Sequence, residues 1–248
     1  MEPTVVLSDI HGNLEALQAV LARIEKLGIG RIFSLGDTIG YGPNPVECLR
    51  LARERFDLLL MGNHEYAALH PRRMVFNPEA SLALQWTRER LEEADLLDGL
   101  NEMKPFHLEG NALYVHGSVK GPLTEYVQET DDRGTSSFEN VVQELRRSFT
   151  TFQICFVGHN HKPFLATTEG FLHPHEEIST FCVTGEKLYV CVGSVGQPRD
   201  DDRRACFAVY DGERVSYHRV PYPAEQTAAK IRQTGLPRYL ARRLLQGK

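Results

Sequence analysis

The 248-residue sequence has little of what marks secreted, membrane-spanning or nucleic-acid-binding proteins. Its five cysteines are odd in number and none are spaced as C-x-x-C, which argues against a disulfide framework. No apolar run approaches the ~20 residues that a membrane span requires, and the N-terminus lacks the pattern of a secretory signal. A net charge of −5 gives no general attraction to nucleic acid. These absences predict a soluble cytoplasmic protein with reduced cysteines and neither membrane nor nucleic-acid partners.

The sequence also lacks internal repeats, low-complexity tracts and linker-like stretches. Its composition, 42% apolar and 25% charged, is that of a globular protein with a sizeable core. We therefore expect a single domain over residues 1–248 with a basic helical tail at about 223–248. The charges of that tail are expected to face solvent, as most charge runs on helices do.

Strand and helix patterns alternate at the start of the chain. Apolar runs at residues 4–9 and 31–37 are typical of buried strands, and residues 57–64 of a third strand running into a loop. Helical periodicity separates these strands at residues 13–27 and 45–53. This order indicates parallel strands with right-handed crossovers. Further along the chain, a helix is predicted at residues 77–98, a hairpin at 107–118, a loop at 120–137 and a helix at 137–148. Short strands follow over residues 152–220, and the last of them form a hairpin around Asp211-Gly212.

Five polar clusters each follow a predicted strand, with a glycine beside every one. They are Ser8-Asp9-Ile10-His11-Gly12-Asn13, Gly36-Asp37-Thr38-Ile39-Gly40, Gly62-Asn63-His64-Glu65, Val115-His116-Gly117-Ser118 and Gly158-His159-Asn160-His161. Each alone has an ordinary structural explanation, such as a turn, a helix cap or a hydrogen-bonded histidine. Ligands bind at the carboxyl ends of strands in α/β sheets, so five clusters placed there indicate one shared site.

This ordered set resembles the calcineurin-like metallophosphoesterases, whose signature runs D-x-H, G-D, G-N-H, a single H and G-H-x-H. The stretches GDTIGYGPNPVEC at residues 36–48 and GSVGQPRD at residues 193–200 are similar to the small single-domain prokaryotic branch, which is phosphodiesterase or diadenosine-tetraphosphatase-like. The resemblance covers nearly the whole chain. It implies an α/β fold, a four-layer αββα sandwich of two mixed β-sheets flanked by helices.

The resemblance also implies a dinuclear metal centre and a role for each matching residue. Asp9, His11 and His161 would hold one ion, Asn63, His116 and His159 the other, with Asp37 bridging both and His64 facing the substrate phosphate. Imidazole, carboxylate and amide ligands suit Mn, Fe, Zn or Ni. Two such ions activate a bridging hydroxide for in-line attack on phosphorus, while an imidazole such as His64 can protonate the leaving oxygen.

The two histidines of the last cluster are two residues apart. If the strand continues through them, His159 and His161 point to the same face and can reach one ion or two neighbouring ions. Outside the clusters, Arg199, Lys120 and Arg72 are candidate contacts to substrate phosphates, and plain surface positions are the alternative for each. Asn13 is a candidate to position Asp9 or to cap the first helix.

We therefore expect a dinuclear metal-dependent phosphohydrolase acting on a phosphodiester or phosphoanhydride of a small phosphorylated substrate, such as a nucleotide or dinucleoside polyphosphate. The alternative enzyme is a phosphomonoesterase or Ser/Thr protein phosphatase. Eukaryotic Ser/Thr phosphatases, however, carry an arginine just after G-N-H-E, where this chain has Tyr66, Ala67 and Ala68. An inactive scaffold of the same fold is the alternative outside enzymes, and it would be free to lose the ligand residues that this chain keeps.

Overall fold

A computed structural model describes residues 2–128, 136–148, 150–183, 185 and 187–248. The strands are β1 Thr4–Leu7, β2 Arg31–Ser34, β3 Leu58–Leu59, β4 Phe106–Glu109, β5 Ala112–Val115, β6 Ile154–Val157, β7 Pro163–Ala166, β8 Phe171–Leu172, β9 Ile178–Cys182, β10 Leu188–Val192, β11 Ala205–Tyr210 and β12 Arg214–Val220. The α-helices are α1 Leu14–Leu27, α2 Pro45–Arg55, α3 Asn63–Leu69, α4 Pro78–Glu93, α5 Ser136–Arg147, α6 Ala224–Gln233 and α7 Arg238–Gln246, and a 3-10 helix spans Asp98–Glu102. Within the described ranges, no helix combines the length and apolar character needed to span a bilayer.

The strands form two six-stranded sheets. The first has the order β3-β2-β1-β11-β12-β9, and the second β4-β5-β6-β10-β7-β8. Both are mixed, because β1 pairs in parallel with β2 and antiparallel with β11, while β10 pairs in parallel with β6 and antiparallel with β7. The two central parallel pairs place their carboxyl ends, and the loops that follow, at one edge of the sandwich.

The core lies between the two sheets. Val6 and Phe33 of the first sheet pack with Tyr114, Phe156 and Val190 of the second, and all five are buried. Helix α1 covers the outer face of the first sheet through a second apolar cluster, and residues of α5 pack on the outer face of the second. Two mixed sheets flanked by helices are the predicted fold, which the structure confirms.

The third predicted strand is present but short, and a helix begins where a loop was expected. Only Leu58–Leu59 pair as β3, and helix α3 starts at Asn63, inside the polar cluster. The physical reason is a capping interaction, in which the Glu65 carboxylate accepts a hydrogen bond from the backbone N–H of Gly62 and holds the first helical turn. In the predicted loop at residues 120–137, residues 129–135 lie outside the described part of the chain.

The basic C-terminal stretch is helical, as predicted, but its charges do not all face solvent. Helices α6 and α7 bury Ile231, Leu240 and Leu244 in a cluster that includes Ala83 of α4. That packing turns Arg243 toward a cavity at the carboxyl ends of the central strands. Sequence reasoning treated the whole stretch as a solvated face, and for Arg243 this was wrong.

Candidate metal centre

The structure brings the seven predicted metal ligands together at one edge of the sandwich, in two adjoining groups. In the first group, His161 Nε2 lies 3.3 Å from Asp9 Oδ1 and 3.1 Å from His11 Nε2. His11 Nε2 is 3.7 Å from Asp9 Oδ1. All three side chains are almost wholly buried, and they come from the loops after β1 and β6.

The second group is centred on His116, which follows β5. Its Nε2 lies 2.9 Å from Asn63 Oδ1 and 3.2 Å from His159 Nδ1. Asp37 joins the two groups through a single oxygen, because its Oδ2 is 3.3 Å from His116 Nε2 and 3.6 Å from His11 Nε2. A carboxylate in this position can be shared by two cations.

The hydrogen-bonding of the histidines indicates that the first group suits a cation. The Nδ1 atom of His11 is 3.1 Å from the Ile39 carbonyl, and Nδ1 of His161 is 2.6 Å from the Gln197 carbonyl. A carbonyl only accepts, so each Nδ1 carries the proton and each Nε2 presents a lone pair. These two lone pairs face each other at 3.1 Å. Such an arrangement is repulsive unless a cation lies between the nitrogens.

Asp9 gives a second, independent indication. Its Oδ2 accepts a hydrogen bond from the backbone N–H of His159, at 3.0 Å. Its Oδ1 is buried, faces the His11 and His161 nitrogens, and has no hydrogen-bond donor among the described residues. A buried carboxylate oxygen without a donor is costly, and a metal ion would compensate it. The first group therefore fits a divalent ion, and in the second, ligand atoms of Asp37, His116 and His159 lie within 4.8 Å of one another.

The loops that carry these ligands have strained backbones. Five of the seven, none of them glycine, are in the left-handed region: Asp9, His11, Asp37, His159 and His161, with φ between 48° and 65°. This conformation is uncommon for non-glycine residues and concentrates at functional sites. The strand before His159 and His161 does not continue through them, because β6 ends at Val157. The two histidines stand in a turn, each in a different group.

The charges of the site are set by burial and by one ion pair. Burial would raise the pKa of Asp37, but the neighbouring His116 holds it below its ordinary value. Burial lowers and Asp37 raises the pKa of His116, and the net result is a pKa of about 9. Burial lowers the pKa of His161 to about 3 and, with the nearby His116, that of His159 to about 4. At neutral pH His159 and His161 are therefore uncharged, as metal-binding imidazoles must be.

Glu65 holds the Asp37 loop in place, a role that sequence reasoning missed. Its fully buried carboxylate accepts four backbone N–H groups, from Gly62, Asp37, Thr38 and Ile39, at 2.7–3.2 Å. Burial and the nearby Asp37 raise the pKa of Glu65 to about 7, and hydrogen bonds from this backbone oppose the rise. An acid at the third residue of a helix that begins in G-N-H-E was the available sequence signal.

Replacing Glu65 by glutamine should lower the free energy of unfolding by about 2–3 kcal/mol. In the wild type the backbone N–H groups donate to a carboxylate, whereas in the variant some of them would face the amide NH₂, which cannot accept. Metal affinity should fall roughly 10–100-fold as the Asp37 loop loosens. Urea unfolding and metal titration measure the two effects. Glu79→Gln is the matched control, an exposed acid in the first turn of α4. Equal stability of both variants would contradict this role for Glu65.

His64 stands at the N-terminus of α3 with its ring beside both groups. Its centroid is 4.8 Å from that of His11, 4.6 Å from Tyr41 and 5.1 Å from Phe76. Its Nδ1 has no hydrogen-bond partner among the described residues, and burial lowers its pKa to about 3. A Cβ on Gly40, where φ is +90°, would overlap this nitrogen. One ring nitrogen also lies within 4.8 Å of ligand atoms of His11 and Asp37, so the geometry alone allows it to be a ligand.

A cavity of about 510 Å³ opens onto the two groups, within the range of small-molecule sites. Its lining includes six predicted site residues: Asp37, Asn63, His64, His159, His161 and Arg199. The remaining lining residues are Tyr41, Met74, Val75, Phe76, Asn77, Thr124, Tyr126, Tyr239 and Arg243. Tyr126 stacks on His159, with ring centroids 3.8 Å apart.

Of the predicted substrate contacts, only Arg199 lines this cavity. Lys120 is mostly exposed and lies 3.9 Å from Glu144, and Arg72 is an exposed residue outside the lining. Asn13 caps α1 by accepting from the Ala16 N–H and donates to the Gly196 carbonyl, so its role is structural. Two lining residues from α7 were missed, and their spacing shows only that they share a helix face. Tyr239 and Arg243 are four residues apart, on one face of an amphipathic helix.

Comparison with known proteins gives consistent matches. A sequence profile of the calcineurin-like phosphoesterase superfamily domain matches residues 3–214. An uncharacterized protein of Methanocaldococcus jannaschii is 35% identical over 98% of this chain and 97% of its own length. The crystal structure of a metallophosphoesterase from Sphaerobacter thermophilus is 34% identical and covers 100% of this chain and 99% of that one, with a TM-score of 0.85.

A more distant match concerns only part of the chain. A symmetrical bis(5'-nucleosyl)-tetraphosphatase of Stutzerimonas stutzeri is 28% identical over 121 residues, which are 47% of this chain and 44% of that protein. The match therefore spans less than half of either sequence.

Proposed function

The chain belongs to the calcineurin-like phosphoesterase superfamily and is a metallophosphoesterase, and from this premise we propose that it is a dinuclear enzyme that cleaves a phosphodiester or phosphoanhydride bond in a nucleotide or dinucleoside polyphosphate. The observation that carries the proposal is the pair of ligand groups that share Asp37 at a polar cavity of about 510 Å³. A site of this size suits a small phosphorylated molecule. The partial similarity to a bis(5'-nucleosyl)-tetraphosphatase supports the nucleotide class.

Each residue of the centre has a proposed task. Asp9, His11 and His161 would hold one ion, Asn63, His116 and His159 the other, and Asp37 both. Mn, Fe, Zn or Ni would suit these nitrogen and oxygen ligands. When bound, a pair of such ions supplies positive charge for phosphate oxygens and lowers the pKa of water. The second-sphere carbonyls of Ile39 and Gln197 fix the His11 and His161 tautomers for that purpose.

His64 would act on the substrate as a neutral hydrogen-bond donor. With a pKa lowered to about 3 by burial, its ring is uncharged at pH 7. A neutral imidazole carries one N–H, which can donate a hydrogen bond to a phosphate oxygen. That hydrogen bond would strengthen as negative charge develops on the oxygen in the transition state. A neutral ring is a weak acid, so His64 would protonate the leaving oxygen only if bound substrate raised its pKa.

Metal binding should release about one proton per chain at pH 7. In the metal-free protein His116 is protonated, because Asp37 raises its pKa to about 9, and a ligand nitrogen must be unprotonated. Affinity should therefore increase with pH from 6 to 8. Calorimetric titration with Mn²⁺ in buffers of different ionisation enthalpy measures the released proton. A binding enthalpy independent of the buffer at pH 7 would contradict the His116–Asp37 pairing.

A substrate comparison tests the proposed activity. The Mn²⁺-loaded protein is assayed with bis(p-nitrophenyl) phosphate, p-nitrophenyl phosphate and diadenosine tetraphosphate. We expect the diester and the tetraphosphate to have higher kcat/KM than the monoester. Preference for the monoester would favour the phosphomonoesterase or protein-phosphatase alternative. No hydrolysis of any of the three would favour an inactive scaffold.

A cytoplasmic setting is part of the proposal. The buried thiols of Cys48, Cys155 and Cys206 form no disulfides, which is consistent with a reducing compartment.

A further inference from the structure

Two arginines meet at the cavity beside the candidate metal centre. Arg199 comes from the loop after β10, and Arg243 from α7. Burial and the nearby Arg199 charge both lower the pKa of Arg243. Bringing two guanidinium groups together in a half-buried place is unfavourable unless negative charge compensates them.

Within the described residues, no Asp or Glu side chain forms an ion pair with Arg199 or Arg243. Arg199 donates from Nη2 to the amide oxygen of Gln197 at 2.9 Å and lies 5.9 Å from the centroid of the Tyr41 ring. Arg243 donates from Nε to the main-chain oxygen of Lys248 at 2.5 Å. Asp37 is the single acid of the described cavity lining. Its Oδ1 accepts a hydrogen bond from the backbone N–H of His64, and its Oδ2 faces the ligand groups.

Arg199 also has an unsatisfied donor. The Nε of Arg199 is shielded from solvent and has no hydrogen-bond partner among the described residues. A buried guanidinium N–H without an acceptor is expensive, and guanidinium forks match phosphate oxygens in geometry. The pair therefore has the charge, the guanidinium geometry and the position at the cavity that suit a site for a phosphate group beside the one that reacts.

The cavity also has an apolar stretch, formed by Met74, Val75 and Phe76. Val75 is completely exposed, although it is a large apolar residue. The aromatic rings of Tyr126 and Tyr239 add flat surfaces to the lining. A ligand that joins several phosphates to a planar apolar ring matches the cation pair and the apolar stretch together.

We propose that Arg199 and Arg243 form a second phosphate site that binds the non-reacting phosphates of a nucleoside oligophosphate, while the apolar stretch receives its base. This inference rests on the proposed function, because it places the reacting phosphate at the metal ligands. It assigns specificity to α7, a helix that sequence reasoning had treated as a solvated basic face. Substrates with one phosphate would leave the pair unused.

The test compares Arg243→Gln and Arg199→Gln with Arg238→Gln, a matched control on the exposed side of α7. For the Mn²⁺-loaded proteins, the ratio of kcat/KM for diadenosine tetraphosphate to that for bis(p-nitrophenyl) phosphate should fall about tenfold or more in both cavity variants, mainly through KM. Arg238→Gln should keep the wild-type ratio. The proposal would be overturned if the ratio in Arg243→Gln stayed at the wild-type value, whether kcat/KM fell equally for both substrates or did not change for either.

A binding measurement separates this inference from the proposed activity. Calorimetry with α,β-methylene-ADP and with orthophosphate needs no turnover. We expect Arg243→Gln to weaken binding of the diphosphate analogue about tenfold and to change orthophosphate affinity less. If the wild-type protein hydrolyses neither substrate, the proposed function fails, and this binding difference still decides for or against the arginine site.

Discussion

Replacing Asp37 by asparagine is expected to lower kcat by about 10²–10⁴-fold on any substrate the protein hydrolyses. The Oδ2 atom of Asp37 is the one oxygen that faces both ligand groups, at 3.6 Å from His11 Nε2 and 3.3 Å from His116 Nε2. An amide has no negative charge to share between two cations, so at least one ion should be lost. The stabilisation of the transition state that a second ion supplies is worth several kcal/mol, and each 1.4 kcal/mol is tenfold in rate.

The measurement pairs steady-state kinetics with metal analysis. Wild-type protein should contain two ions per chain after loading and dialysis, and Asp37→Asn one or fewer. Asp95→Asn is a matched control, because Asp95 is exposed and has a similar left-handed backbone, with φ 57° against 53° for Asp37. The control should behave as wild type. Full activity and two ions in Asp37→Asn would exclude Asp37 as the shared ligand.

Replacing His64 by asparagine should lower kcat by roughly 10²–10³-fold and leave the metal content at two ions per chain. The ring of His64 lines the cavity beside the ligand groups, and its Nδ1 is without a partner. Loss of one donor to a charge that develops in the transition state typically costs this much. Because burial lowers its pKa to about 3, the ring should remain neutral over pH 5–9 and add no titration to the kcat profile there.

The control for this variant is His70→Asn, at the C-terminal end of the same helix, where the ring packs on Tyr66. Its kcat should stay within twofold of wild type. Loss of one ion in His64→Asn would show that His64 is a ligand, which its distance to His11 and Asp37 permits. Retention of wild-type kcat would remove His64 from the reaction.

Much of the fold, and the clustering of the proposed ligand residues, could be predicted from the sequence because their signals are local. The β-branched run that becomes β1 and the apolar periodicity of α1 each specify an element by themselves. Since parallel strands end at one edge, the polar residues after each strand could be placed together without coordinates. This reasoning put Asp9, Asp37 and His116 at one site.

The remaining features depend on tertiary contacts that no local pattern encodes. The turn at His159 and His161 is held by long-range bonds, including one from the His159 N–H to Asp9 and one between the His161 ring and the Gln197 carbonyl. Arg243 reaches the cavity because α7 packs on α6 and α4, and its helix pattern alone is equally consistent with a solvated face. Of the candidate phosphate contacts chosen by charge, Arg199 lines the cavity, whereas Lys120 is exposed and lies 3.9 Å from Glu144.

The most direct test of the dinuclear centre is a crystal structure of the Mn²⁺-loaded protein with anomalous scattering data. A dinuclear centre should give two anomalous peaks about 3.5–4 Å apart. One should be bound by Asp9, His11 and His161, the other by Asn63, His116 and His159, with Asp37 between them. A single peak, or two peaks that do not share Asp37, would contradict it.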